Sequence, residues 1–279
     1  MIPSAEPIPP RIDELKPVSR ARWAIHLALI TLYLLVVAFV GLGREQSKHG
    51  PALSHSTGGL LLVCAVELLT FGVIFWLAWL ASRASGDDLL LRWRGKGFPF
   101  LWGVLYSVGL RLALGVVVLA VAAVILLSRA MSIDGLRDFA EKNRPKVEEA
   151  VDVSAMRDNP AYYVLTLTVV SFVLAGMREE LWRSSFIAGM KGVWPRQFGS
   201  TFGQICAVII GAVVFGLGHM SMGILAALLA GFLGVGLGLI MVFHRSIWPA
   251  VLAHGFFDAT SLAVLPFALE ALKQLSKPH

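Results

Sequence analysis

The sequence predicts an all-α, polytopic transmembrane helix bundle with about seven to eight spans around a polar active-site cavity. Three observations predict it. The 279 residues are 57% hydrophobic and only 15% charged, whereas a soluble domain is about 45–50% apolar and about 25% charged. Mean hydropathy is +0.74. The apolar residues are gathered into long blocks instead of being scattered as the core positions of a soluble fold, and about 20 consecutive apolar residues suffice to cross a bilayer.

Taken in order, residues 1–21 (MIPSAEPIPPRIDELKPVSRA) are polar and Pro-rich and read as a flexible N-terminal tail. The apolar block that follows has few small residues at a cleavage-like boundary, so it reads as a retained span and not as a signal peptide. Blocks at 22–43, 58–82 and 99–128 form the N-terminal transmembrane helices, 22–128. Residues 129–160 are a polar insert. Within it Ile133, Leu136 and Phe139 recur at helical spacing, which predicts an amphipathic segment lying on the membrane surface. Pro160 is suited to the first turn of the next helix. Residues 161–190 form a fourth span interrupted by charges, 200–244 are long enough for two helices, and 247–272 form the last. Together they make a C-terminal transmembrane unit, 161–275.

Net charge is +6, yet the basic residues flank apolar blocks, as in RARW, RWRGK and FHRS. That pattern suits lipid headgroups and topology, and no nucleic-acid partner is expected. Arg11, Lys16, Arg20 and Arg22 precede the first span, and Arg83, Arg92, Arg94 and Lys96 follow the second, which predicts a cytoplasmic N-terminus. Cys64 and Cys206 both fall in apolar blocks and read as reduced packing residues. No CxxC or HExxH occurs, which removes zinc-finger and zincin readings. In GILAALLAGFLGVGLGLI, Gly231, Gly234, Gly236 and Gly238 allow neighbouring backbones to approach closely.

The stretch MREELWRSSF interrupts the fourth span with four charges. A carboxylate at mid-bilayer costs roughly 2.5–3.5 kcal/mol on insertion scales, so such residues face the bundle interior and mark function. Glu179 and Glu180 diverge by about 100° on a helix. Glu179 and Arg183, at i, i+4, share a face and are expected to pair, while Arg178 is expected to snorkel to an interface. The bland alternative ends the helix near Met177 and leaves all four charges in interfacial water. Two further apolar runs also carry polar residues: His219 ends VVFGLGHM, and His254 and Asp258 stand one turn apart in WPAVLAHGFFDAT. An acid base, imidazoles that hold a water and an oxyanion, and optionally a divalent ion such as zinc held by Glu179, His219, His254 and Asp258, would suit hydrolysis. Bringing His219 to the depth of the others requires its helix to run on to Leu225 or the chain to bend back at Gly223.

This pattern resembles the CPBP family, the CAAX prenyl proteases and bacteriocin-processing or immunity-type membrane proteins. The resemblance covers about residues 160–262 and rests on Glu179-Glu180 with Arg183, on Phe215 with His219, and on His254 with Asp258. It implies an intramembrane endopeptidase acting on a membrane-anchored or lipidated protein. By match, Glu179 and His219 activate water and His254 and Asp258 face them; Glu180 is counted with these catalytic residues, tuning Glu179 or holding the helix, and Arg183 and Phe215 support the site. Two positions depart from the family pattern. Arg183 stands one residue early, with Ser184 in the usual place of the arginine, and Asp258 replaces the commoner Asn. A non-catalytic immunity or scaffold protein using the same cluster as structural glue, and a proton-coupled transporter, are the alternatives; no paired broken helices of the kind transporters use are evident.

Overall fold

The computed structural model describes residues 18–43, 53–94 and 97–275. Most of the expected tail therefore lies outside the described residues, together with Arg11, Lys16 and Lys96. The described residues contain helices and no strand.

Seven of these helices are long and apolar enough to cross a membrane. They are α1 (Arg20–Gly43), α2 (Thr57–Ser82), α3 (Phe98–Leu127), a continuous fourth helix, α9 (Thr201–Gly218), α10 (Ile224–His244) and α11 (Trp248–Leu275). The fourth helix begins as α6 (Pro160–Leu165), widens into a π-helical stretch (Thr166–Glu179) and returns to regular winding in α7 (Glu180–Val193). Among the shorter elements are α4 (Ile133–Lys142), α5 (Val153–Asp158) and α8 (Pro195–Phe198), with 3₁₀ turns at Val147–Glu149 and Met220–Met222. The protein is an integral multi-pass membrane bundle.

Local chemistry sets the ends. Ser56, Ser132 and Ser200 cap α2, α4 and α9, each side chain accepting from the backbone N–H three residues on. Asn159 caps α6, whose first residue is Pro160. The outer faces of α2 and α3 carry exposed Leu, Val, Trp and Phe side chains, as lipid contact demands. Inside, α10 lies on α9, α1 on α2 and α7, and α11 on the π-helical stretch and α3.

The insert divides into two parts. Amphipathic α4 has no buried residue, and Ile133 is 75% exposed. The remainder is stitched to the start of α2: Leu53 N–H donates to Ala150 O at 3.0 Å, Asn159 Nδ2 to Thr57 Oγ1 at 2.9 Å, and His55 to Asp152. Val151 and Met156 join Leu60, Tyr162 and Leu174 in one apolar cluster.

Two glycines direct the C-terminal helices. After α9 the chain makes a 3₁₀ turn, Met220–Met222, and reverses at Gly223, whose φ of 104° and ψ of 163° suit glycine alone. Of the two routes open to His219, the chain takes the bend. At Gly176 a Cβ would stand 2.8 Å from Val251 O, so the bare backbone lets α11 lie directly against the π-helical stretch.

Candidate active site

Glu179 and Glu180 stand where the π-helical stretch gives way to α7. Such wide turns are usually single and recur at functional sites. Close packing at Gly176 brings α11 alongside, and with it His254.

Glu180 is fully buried. His254 Nδ1 donates to its Oε1 at 2.9 Å, and its Oε2 forms an ion pair with Arg183. Arg183 is also fully buried and lies 4.7 Å over the ring of Phe215. Its guanidinium nitrogens make no hydrogen bond among the described residues, so the carboxylate and the aromatic face are its compensation. The expected Glu179–Arg183 pair does not form. Spacing i, i+3 in regular α7 places Arg183 beside Glu180, the carboxylate that burial most obliges to find a cation. The early position of Arg183 therefore still points inward.

Glu179 belongs to the opposite, more open side. Its Oε2 lies 3.8 Å from His254 Nε2, and its Oε1 accepts from Arg178 Nη2 at 3.1 Å. Arg178 does not snorkel to an interface: its other terminal nitrogen pairs with Glu67 of α2. Two carboxylates, Glu179 and the more exposed Glu67, offer it more than a headgroup does. Asp258 Oδ2 lies 3.6 Å from the same Nε2 of His254. Glu179 and Asp258 side chains remain 18% and 28% exposed, against 5% for His254, so the imidazole is sealed on its Nδ1 side and open on its Nε2 side. An apolar cleft of about 300 Å³, lined by Leu68, Phe71, Val173 and Met177, reaches Arg178 from between α2 and the π-helical stretch.

His219 caps α9. Its Nδ1 donates to Phe215 O at 2.9 Å, and its ring packs 4.6 Å from that of Phe215. A carbonyl only accepts, so Nδ1 carries a proton, and in the neutral ring the lone pair is then on Nε2. Among the described residues the ring makes no direct bond to Glu179 or His254. Among the described residues no group of three or more His, Cys, Asp or Glu is placed to hold a metal ion. Of the four residues Glu179, His219, His254 and Asp258, the carboxylates of Glu179 and Asp258 face His254 Nε2 directly.

Residues that motif reading passed over complete the surroundings. Arg111 of α3 donates to Phe257 O and Thr260 Oγ1 and lies 4.3 Å over the Phe257 ring, beside Asp258. His26 of α1 bridges Ala78 O and Ser185 O, at 2.9 and 3.1 Å, and ties α1, α2 and α7 together. Glu67 and Arg111 had a signal: each is the sole charged residue of its span.

A family model described as type II CAAX prenyl endopeptidase Rce1-like matches residues 161–260. That segment is similar to the CAAX-type endopeptidases. The matched Rce1-like region contains the candidate residues Glu179, Glu180, His219, His254 and Asp258, with Arg183 and Phe215. Glu67 and Arg111 lie outside it. No curated protein and no solved structure matches the chain. At a coarse level the Rce1-like match supports a membrane-embedded peptidase, a hydrolase of the CAAX type.

Proposed function

We propose that the protein is an intramembrane endopeptidase that cleaves a membrane-anchored, lipidated protein with water activated by Glu179. The observation that carries this reading is a buried imidazole gathering three carboxylates from two helices: Glu180 on its Nδ1 side, Glu179 and Asp258 on its Nε2 side. The separation of 3.8 Å between Glu179 and His254 is too long for a hydrogen bond and leaves the carboxylate oxygen uncommitted on the open side.

Glu179 takes a proton from water as the oxygen adds to the amide carbonyl. The carbonyl becomes an oxyanion, and the proton then passes to the leaving nitrogen as the C–N bond breaks. Nε2 of His254 faces the developing oxyanion. Glu180 fixes the ring through Nδ1, in the manner of an orienting carboxylate. The free lone pair of His219 Nε2 holds the attacking water. Four carboxylates (Glu67, Glu179, Glu180 and Asp258) meet three guanidiniums (Arg111, Arg178 and Arg183). A proton on His254 makes the cluster neutral, which is also the form that donates to an oxyanion. Asp258, in the place of an amide, is then neutralised by this imidazolium with Arg111 nearby.

The basic residues of α1 and of the α2–α3 connection, Arg20, Arg22, Arg83, Arg92 and Arg94, lie at one end of the alternating spans, and we assign that end to the cytoplasm. The test is Glu179→Gln in lipid vesicles with a prenylated CAAX-type peptide as probe. Turnover falls about 10²–10⁴-fold while the melting temperature is kept. An equally active, folded variant removes the proposal. The sealed Glu180–Arg183 pair favours a second reading, in which the cluster is structural glue; in that case Glu179→Gln shifts only stability.

A further inference from the structure

We infer that Glu67, on α2 and outside the Rce1-like segment, is a positioning residue: through Arg178 it holds Glu179 so that one carboxylate oxygen is tied back and the other faces His254. This inference rests on the proposed role of Glu179 as base.

Glu67 is the sole charged residue among the 26 of α2, which otherwise reads TGGLLLVCAV before it and LLTFGVIFWLAWLAS after it. Nothing in the packing of α2 requires it. Its neighbours Leu60, Cys64 and Phe71 are core, while Leu61, Leu62, Val66 and Leu69 are exposed as lipid contacts. An isolated carboxylate there costs several kcal/mol, which demands a compensating partner. The partner is Arg178, which bonds Glu67 with one terminal nitrogen and Glu179 Oε1 with the other, the latter at 3.1 Å. Glu179 Oε2 is left 3.8 Å from His254 Nε2. The four residues form a row: Glu67, Arg178, Glu179, His254.

The row does two things to Glu179. It removes rotamer freedom, because the guanidinium fork is planar and fixed at both ends. It also limits how much of the Arg178 charge Glu179 receives. A guanidinium shared by two carboxylates neutralises neither fully, so Oε2 keeps its capacity to take a proton. Without the Glu67 charge, Arg178 is free to turn both nitrogens on to Glu179 in the bidentate geometry that Arg and carboxylate favour, drawing Oε2 away from the imidazole. Glu67 is also the outermost of the row: its side chain is 43% exposed, against 18% for both Arg178 and Glu179. Arg178 also meets Tyr33 of α1, so Glu67 is the carboxylate, and not the sole group, that holds it from another helix.

The experiment compares wild type, Glu67→Gln, Glu67→Asp and Glu179→Gln in vesicles, with the prenylated CAAX-type peptide as probe and the 15N resonance of His254 Nε2 as a second readout. Glu67→Gln lowers kcat about ten- to a hundredfold with KM nearly unchanged, Glu67→Asp recovers much of it, and the His254 resonance moves in Glu67→Gln. A Glu67→Gln variant with wild-type kcat beside an inactive Glu179→Gln overturns the positioning role alone. A fully active Glu179→Gln overturns the peptidase reading itself. If wild type leaves the probe uncut, the resonance decides: displaced in Glu67→Gln and restored in Glu67→Asp supports the row, and unmoved overturns it.

Discussion

His254 of α11 donates from Nδ1 to Glu180 Oε1 of α7 at 2.9 Å, across 74 positions of the chain. This bond makes Glu180, and not Glu179, the residue that orients the imidazole. It also joins two buried ionic groups, because the other oxygen of Glu180 faces Arg183.

Removing one partner of that pair leaves the other charged in a dry interior. Glu180→Ala is expected to cost about 3–5 kcal/mol, whereas the apolar double variant Glu180→Met with Arg183→Met recovers most of it, because well-packed side chains replace buried ion pairs at little cost. Thermal melts in detergent check both. The double variant stays inactive, since Nδ1 of His254 has lost its acceptor.

Phe215 is the floor under Arg183, and its carbonyl holds His219. Phe215→Leu keeps an apolar filling but loses the cation–π contact, a stability loss of about 1–2 kcal/mol. The backbone carbonyl is unchanged by the substitution, so His219 keeps its tautomer and part of the turnover survives. His219→Ala removes the nitrogen proposed to hold the water and is expected to lower turnover about 10²-fold with a smaller effect on the melting temperature.

Asp258 faces the same Nε2 as Glu179, at 3.6 Å. An amide in this place has the same shape and donates to an oxyanion without repelling it. Asp258→Asn is therefore expected to stay within about tenfold of wild type, while Asp258→Leu loses about 10²–10³. Steady-state kinetics on both variants checks this. A collapse of activity in Asp258→Asn would show that the carboxylate charge itself is required.

Gly223 reverses the chain after His219 with φ 104°. Gly223→Ala is expected to cost about 1–3 kcal/mol, and because the strain falls on the turn that aims His219, activity drops further than stability alone explains. Parallel melting and activity curves check it.

Outside the membrane, Asp152 supplies a pH dependence. Burial pushes its carboxyl up, but hydrogen bonds from the Ser154 hydroxyl, the Ala155 N–H, His55 and the Ser154 N–H together bring it down to about 2, from an ordinary value of 3.8. A group whose value is lower in the folded state stabilises fully above its ordinary range and ceases to do so as pH falls through the folded value. Stability should thus decline between pH 3.8 and about 2, and Asp152→Asn should lack that component in melts taken across this window.

Much of the site was legible because the bilayer is an exacting solvent. A charge in an apolar block is so costly that Glu179, Glu180, His254 and Asp258 stand out against their surroundings, and the same logic, applied to single residues, points to Glu67 and Arg111. Pairing was less legible. Regular i, i+4 geometry suggests Glu179 with Arg183, but the π-helical winding that ends at Glu179 and the total burial of Glu180 redirect Arg183 to Glu180 and Arg178 to Glu179 and Glu67.

The chain's own order of residues determined a bundle of about seven to eight lipid-spanning helices, of which the described residues hold seven, with the polar insert and the motif residues, because hydropathy and helical period are local properties that need no partner. Only the tertiary structure decided which oxygen meets which nitrogen. Gly176 had to meet the backbone of α11 before His254 could reach Glu180, and α2 had to cross the π-helical stretch before Glu67 could reach Arg178. Such contacts depend on where separate helices approach one another, and no local pattern in a single helix carries that information.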